Sequence, residues 1–165
     1  MTTLADVQIV RGFPATLAAT LWGWFNAPRR MNFDDYGPKN FAQFAPLLAK
    51  RIDKQHTWLV TKGEEKIGYL GFLRINSMSG QFHGMVIDPM YRRMGIGSAA
   101  MKLAIAELQT EGYTKMLSMP HGDNDHIRRL LSSNGFQQEG YLWQATKRDG
   151  ELIDLRLMSW TKEGG

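Results

Sequence analysis

The stretch Arg92-Arg93-Met94-Gly95-Ile96-Gly97-Ser98 is where this chain is best equipped for chemistry. Its two glycines stand where an amphipathic run begins, so main-chain N–H groups can approach a ligand with no Cβ in the way. The first turn of a helix adds unpaired donors and the positive end of its dipole. An anion suits such a place, and a pyrophosphate fits it. Arg92 or Arg93 can add a charge-assisted contact. Just ahead, Asp88-Pro89 stops the incoming strand, because proline brings no N–H to a ladder.

Gly95-Ile96-Gly97-Ser98-Ala99-Ala100 also satisfies the dinucleotide pattern G-x-G-x-x-G/A. That pattern belongs in a strand–helix–strand unit with an acid about 20 positions on, to hold a ribose hydroxyl. Here the next strand ends at Ser118-Met119-Pro120, and no carboxylate appears before Asp123. The strands before the loop are hairpin-linked. The dinucleotide reading is therefore poor.

The elements that must position this loop follow from periodicity and turn residues. Val7–Val10 reads as a first strand. Pro14 opens a helix over Ala15–Phe25, ended by Asn26-Ala27-Pro28. A loop, Arg29–Pro38, leads to a second helix from about Asn40 to Asp53, with Phe41, Phe44, Leu47 and Leu48 at helical spacing. Strands follow at Thr57–Thr61, Lys66–Ile75 and Gln81–Ile87, joined by turns at Lys62–Glu65 and Ser77–Gly80. Gly97–Glu111 is an amphipathic helix closed by Gly112, Lys115–Met119 a strand and Asn124–Ser133 a helix. Phe136–Ala145 and Glu151–Trp160 pair across Arg148-Asp149-Gly150. The order β-α-α-β-β-β-α-β-α-β-β predicts an α+β fold: a mixed, mostly antiparallel twisted sheet with about four helices.

A chain of 165 residues, 43% hydrophobic and 22% charged, fits one globular domain spanning 1–165. No apolar run reaches the ~20 residues of a membrane span, and no secretory signal is read at the start. Cysteine is absent, which excludes disulfides, thiolate metal sites and a cysteine nucleophile, and fits the cytoplasm. No histidine–carboxylate spacing suggests a metal. The net charge of +4 suits a polyanionic ligand and is otherwise solvated surface; nucleic acid is not indicated. The ten methionines read as adaptable core filling.

Arg92-x-x-Gly95-x-Gly97, after strand-Asp-Pro and before an amphipathic helix, resembles the acetyl-CoA signature of the GNAT superfamily of N-acyltransferases. The run Asn124 to Phe136, an Asn-led helix ending in Gly-Phe, is similar to a second superfamily motif at matching spacing. The ending around Glu139-Gly140-Tyr141 and Arg148 to Asp154 resembles the branch of ribosomal-protein N-terminal and small-amine acetyltransferases. The likeness runs from about Thr57 to Trp160; the first fifty residues match only in element type.

The resemblance implies the GNAT fold and direct acetyl transfer from acetyl-CoA to a primary amine, with no metal. The N–H groups of Ile96, Gly97 and Ser98, with those around Arg92, Arg93, Met94 and Gly95, would cradle the pyrophosphate. The strand Met85, Val86 and Ile87 would pair with the pantetheine arm and aim an N–H at the thioester carbonyl, where charge develops. Asn124 would bond the pantetheine region, or simply cap its helix. Many relatives place a glutamate base at or near Phe82 or His83; here the strand reads Gln81-Phe82-His83-Gly84. His83 is then either the base or a histidine packed on the sheet. His121 is a second base candidate. The acidic tyrosine of many relatives falls on Leu131, which has no proton; Tyr141, Ser132, Ser133 or water is left for that step.

The acceptor pocket of such folds implies Asp34, Asp35 and Tyr36, beside Phe33, as a cation-binding set, or else as a solvated turn. Trp24 or Phe25 would line it. Partners are a small-molecule or peptide amine, no membrane, and a homodimer left open. Two other functions compete: a coenzyme-binding regulatory module that lost its chemistry, and an acyltransferase acting on nucleic acid.

Overall fold

The computed structural model describes residues 4–27, 34–54 and 56–164; Pro28, Arg29, Arg30 and Phe33 lie outside them. Strand β1 (Val7–Arg11) is followed by helices α1 (Ala18–Asn26) and α2 (Phe41–Lys54). Strands β2 (His56–Lys62), β3 (Glu65–Arg74) and β4 (Ser79–Ile87) come next, then helix α3 (Ile96–Thr110) and strand β5 (Lys115–Ser118). Helix α4 (Asp125–Ser133) and the hairpin β6 (Gln137–Arg148) and β7 (Glu151–Thr161) complete the order expected from the sequence.

One seven-stranded sheet runs β1-β2-β3-β4-β5-β7-β6. Every neighbouring pair is antiparallel except β4 with β5, which the α3 crossover makes parallel. Both faces are covered. Trp58, Leu70, Phe72 and Phe82 pack with Met101, Ala104 and Leu108 of α3 and Leu131 of α4. Leu59, Tyr69 and Val86 pack with Leu21, Trp24 and Phe25 of α1 and Phe44 and Leu48 of α2. This explains why β2 reads as a continuous apolar run, with Thr57 through Val60 all buried.

Three local expectations change. Pro14 stays extended, with ψ 126°, and a tight 3-10 turn over Ala15–Leu17 precedes α1, so the α-helix starts at Ala18. β4 begins at Ser79, because the Asn76 side chain accepts from the Met78 and Ser79 amides and closes the turn early. On α2 only Phe44 and Leu48 are buried; Phe41 and Leu47 are exposed, so the apolar stripe is narrower than its spacing suggested. The Asp-Gly turn forms as expected, with Asp149 and Gly150 both at positive φ (54° and 80°). No helix among the described residues is long and apolar enough to cross a membrane.

Candidate active site

β4 and β5 pair only from Ser79 to Gln81 against Lys115 to Leu117. Beyond that point they part. On its other side β4 stays paired to β3, but Leu70 faces Met85 while Phe72 faces Phe82. His83 and Gly84 thus stand opposite Gly71 alone, a bulge of two residues against one. Gly84 takes φ +100°, which a side chain would strain. The bulge bends β4 away from β5 and leaves the β5-facing edge of Met85, Val86 and Ile87 without a neighbouring strand.

That opening is a cavity of about 330 Å3, lined by Met85, His83, Asn124, Leu131, Arg51 and His121 among others. The N-terminus of α3 stands beside β4, where a Cβ on Gly97 would lie 3.6 Å from Met85 Cε and 3.8 Å from Ile87 Cγ1. Gly95 caps it at φ 78°, and Arg93 just before also has positive φ, 62°. The first N–H bonded within the helix is that of Ala99, to Gly95 O at 3.1 Å. The amides of Ile96, Gly97 and Ser98 therefore form a run of donors without an intrahelical partner. No acidic residue lies in this first turn. A Cβ on Gly97 would come 3.2 Å from Leu130 Cδ1, so α4 packs tightly here.

The two arginines divide. The Arg92 guanidinium turns inward, donating to Ile87 O and Trp24 O, each at 2.8 Å, and to Ala27 O. It fastens the C-terminal end of α1 to the end of β4, which corrects the expectation of a phosphate contact from this side chain. Exposed Arg93 is the guanidinium left to meet an anion. Replacing Arg92 with Met should destabilise the fold by about 1–3 kcal/mol, since partly buried carbonyls lose a charged donor. Chemical denaturation checks this; an unchanged midpoint would show that water replaces the contact freely.

Asn124 caps α4, its Oδ1 accepting from Ile127 N at 3.2 Å, and it also lines the cavity. Capping uses the oxygen; the Nδ2 donors are not spent on it. Ser98 Oγ accepts from Asn134 Nδ2 at 2.9 Å, tying α4 to the first turn of α3.

Both histidine candidates line the cavity, with different freedom. His121 Nδ1 lies 3.1 Å from Arg148 Nη1, which also bonds Asp123. Arginine can only donate, so this arrangement assigns the His121 proton to Nε2 and occupies its basic nitrogen. His83 has no such partner among the described side chains. Burial, reinforced by the Arg51 charge, pushes its pKa below 6.5, which leaves a neutral base at neutral pH. Burial does the same to His121 and, outside the cavity, to His56. These three bind protons more weakly folded than unfolded. Their share of stability is complete above 6.5 and is lost as pH falls toward the depressed folded values. The melting temperature should therefore decline between pH 7.5 and 5.5, before most carboxylates titrate. A flat profile would contradict it.

The acceptor set does not stay together. Asp34 lines the cavity; its Oδ2 accepts from Thr146 Oγ1 at 2.6 Å and its Oδ1 from Tyr36 N at 3.0 Å. Asp35 instead takes the amides of Asp149 and Gly150 at 2.8 and 2.9 Å, which hold its carboxyl below the usual range. It clamps this loop onto the β6–β7 turn. Tyr36 is 83% exposed and does not line the cavity. Phe25 does line it, whereas Trp24 is core. Leu131 sits in the wall, only 1% exposed and offering no proton. Tyr141 cannot stand in, because its hydroxyl donates to Asp154 Oδ2 at 3.0 Å in a separate depression. Ser133 is exposed and donates to Leu130 O.

Sequence reasoning passed over Arg51. Its signal was there: with Phe44 and Leu48 it completes an i, i+4, i+7 series, a base at a core-facing position.

The chain belongs to the acetyltransferase (GNAT) family, whose model matches residues 18–136. It is an acetyltransferase by family. No curated protein sequence matches it significantly. Among solved structures, it is similar to a probable GNAT-family acetyltransferase from Chromobacterium violaceum, at 20% identity and TM-score 0.80 over 96% of this chain and 89% of that one. A spermidine N-acetyltransferase variant from Vibrio cholerae aligns at 17% identity and TM-score 0.79, covering 96% and 95%. A ribosomal-protein-alanine N-acetyltransferase from Brucella melitensis aligns at 16% and 0.77, covering 93% and 99%. These likenesses bear out the α+β GNAT fold.

Proposed function

We propose that this protein moves the acetyl group of acetyl-CoA to a primary amine by direct attack. One observation carries the reading: the amides of Ile96, Gly97 and Ser98, without intrahelical partners, open beside the free edge of β4, where a Cβ on Gly97 would lie 3.6 Å from Met85 Cε and 3.8 Å from Ile87 Cγ1, and Met85 and His83 both line the cavity. The diphosphate lies on those amides, and the pantetheine arm runs along the β4 edge with Asn124 beside it. His83 takes a proton from the acceptor ammonium. The freed amine adds to the thioester carbonyl, and an edge N–H of β4 stabilises the oxyanion that forms. The adduct sheds the second proton of its nitrogen to water and collapses with cleavage of the C–S bond, giving an amide and coenzyme A thiolate. Water protonates the thiolate, because Leu131 cannot and Tyr141 is engaged elsewhere. A thiolate leaves readily enough that no side-chain acid is required.

Amine acceptors also fit the activities for which two similar structures are named, a spermidine and a ribosomal-protein-alanine N-acetyltransferase. The test is thiol release from acetyl-CoA across a panel of primary amines. Acceptor-dependent release is expected. Acetyl-CoA binding with no release on any amine would favour the regulatory module.

A further inference from the structure

Resting on this reading, the cavity also discriminates among amines. Arg51 projects from α2 into its wall beside the β4 bulge, with Nη1 4.0 Å from where a Cβ on Gly84 would lie. Arg51 forms no ion pair with any described residue. Its polar neighbour is the Tyr69 hydroxyl, buried and without a well-directed hydrogen bond. Burial raises the Tyr69 pKa while Arg51 opposes the rise, so the phenol stays neutral and does not balance the guanidinium. The one carboxylate in the wall, Asp34, is bonded to Thr146 and to the Tyr36 amide.

A half-buried guanidinium with no counter-charge among the described residues is costly alone and is stabilised by an anion that arrives with a ligand. Arg51 and His83 line the same cavity, and Arg51 Nη1 lies 4.0 Å from where a Cβ on Gly84, the residue after His83, would stand, so an anion on Arg51 sits close to an amine on His83. We infer that the acceptor is an amine carrying an anionic group one or two carbons away, such as a free α-amino acid or an aminophosphonate, held by Arg51. A polyamine would instead bring its reacting ammonium against a like charge.

The experiment compares turnover of α-amino acids with that of their amides, their decarboxylated amines and spermidine, in the wild type and in Arg51→Met and Arg51→Lys. Wild type should favour the anionic member of each pair. Arg51→Met should raise KM for it by roughly 30-fold or more, the usual consequence of leaving a buried charge pair half empty. Its KM for the amides should change far less than its KM for the acids, its acetyl-CoA affinity should hold, and Arg51→Lys should restore part of the loss. Equal or better use of amides or spermidine by wild type would overturn the inference while leaving acetyl transfer intact, whether or not the variants fold. No release with any amine would overturn both.

Discussion

Gly97→Glu is expected to weaken acetyl-CoA binding by at least about 100-fold while the protein stays folded. The loss follows from where the position lies. Gly97 supplies the middle of three orphan amides, and no acidic residue occupies that first helical turn. A carboxylate there brings its charge against the diphosphate and its bulk into the approach, and like charges at an interface cost several kcal/mol. The fold has reason to tolerate the change. A Cβ meets the flexible Leu130 Cδ1 at 3.2 Å, and glutamate forms helix more readily than glycine. Calorimetric titration with acetyl-CoA, beside a melting curve, reads both quantities. A folded variant that bound normally would remove this loop as the coenzyme site.

His83→Ala is expected to lower kcat by about 100-fold or more near pH 7, within the usual range for a positioned base. Burial and Arg51 hold the His83 pKa below 6.5, so the wild-type imidazole is neutral where the acceptor is still an ammonium. As pH rises the amine sheds its own proton, and the gap between variant and wild type should narrow. The pH–rate profile checks this. An unchanged profile would exclude His83 as base. His121→Ala should have the smaller effect, because Arg148 already occupies the His121 Nδ1 lone pair.

What the sequence disclosed was set by how local each feature is. The α3 loop could be read directly, since glycine spacing, the Asp-Pro stop and the helix start all lie within a dozen residues. The element order could be read for the same reason, being a string of local periodicities and turns. The β4 bulge could not. Gly84 looks ordinary until the register with β3 sets it and His83 opposite Gly71. Of Arg92 and Arg93, the sequence could not say which turns inward, because the Arg92 partners Trp24 and Ala27 lie more than sixty residues earlier in the chain. The role of Asp35 was hidden for the same reason: the Asp149-Gly150 turn was evident, but not that its amides take a carboxylate from the loop after α1. Arg51 stood in between. Its helical spacing was visible, but the cavity it faces exists only once β4 has bent from β5.

These conclusions share one premise, that the opening of α3 is a diphosphate seat at the mouth of the β4–β5 gap. A crystal structure with coenzyme A tests it most directly. Diphosphate oxygens should accept from the amides of Ile96, Gly97 and Ser98, with the thiol lying along Met85–Ile87 toward His83. Coenzyme bound elsewhere, or those amides turned from its phosphates, would contradict the account.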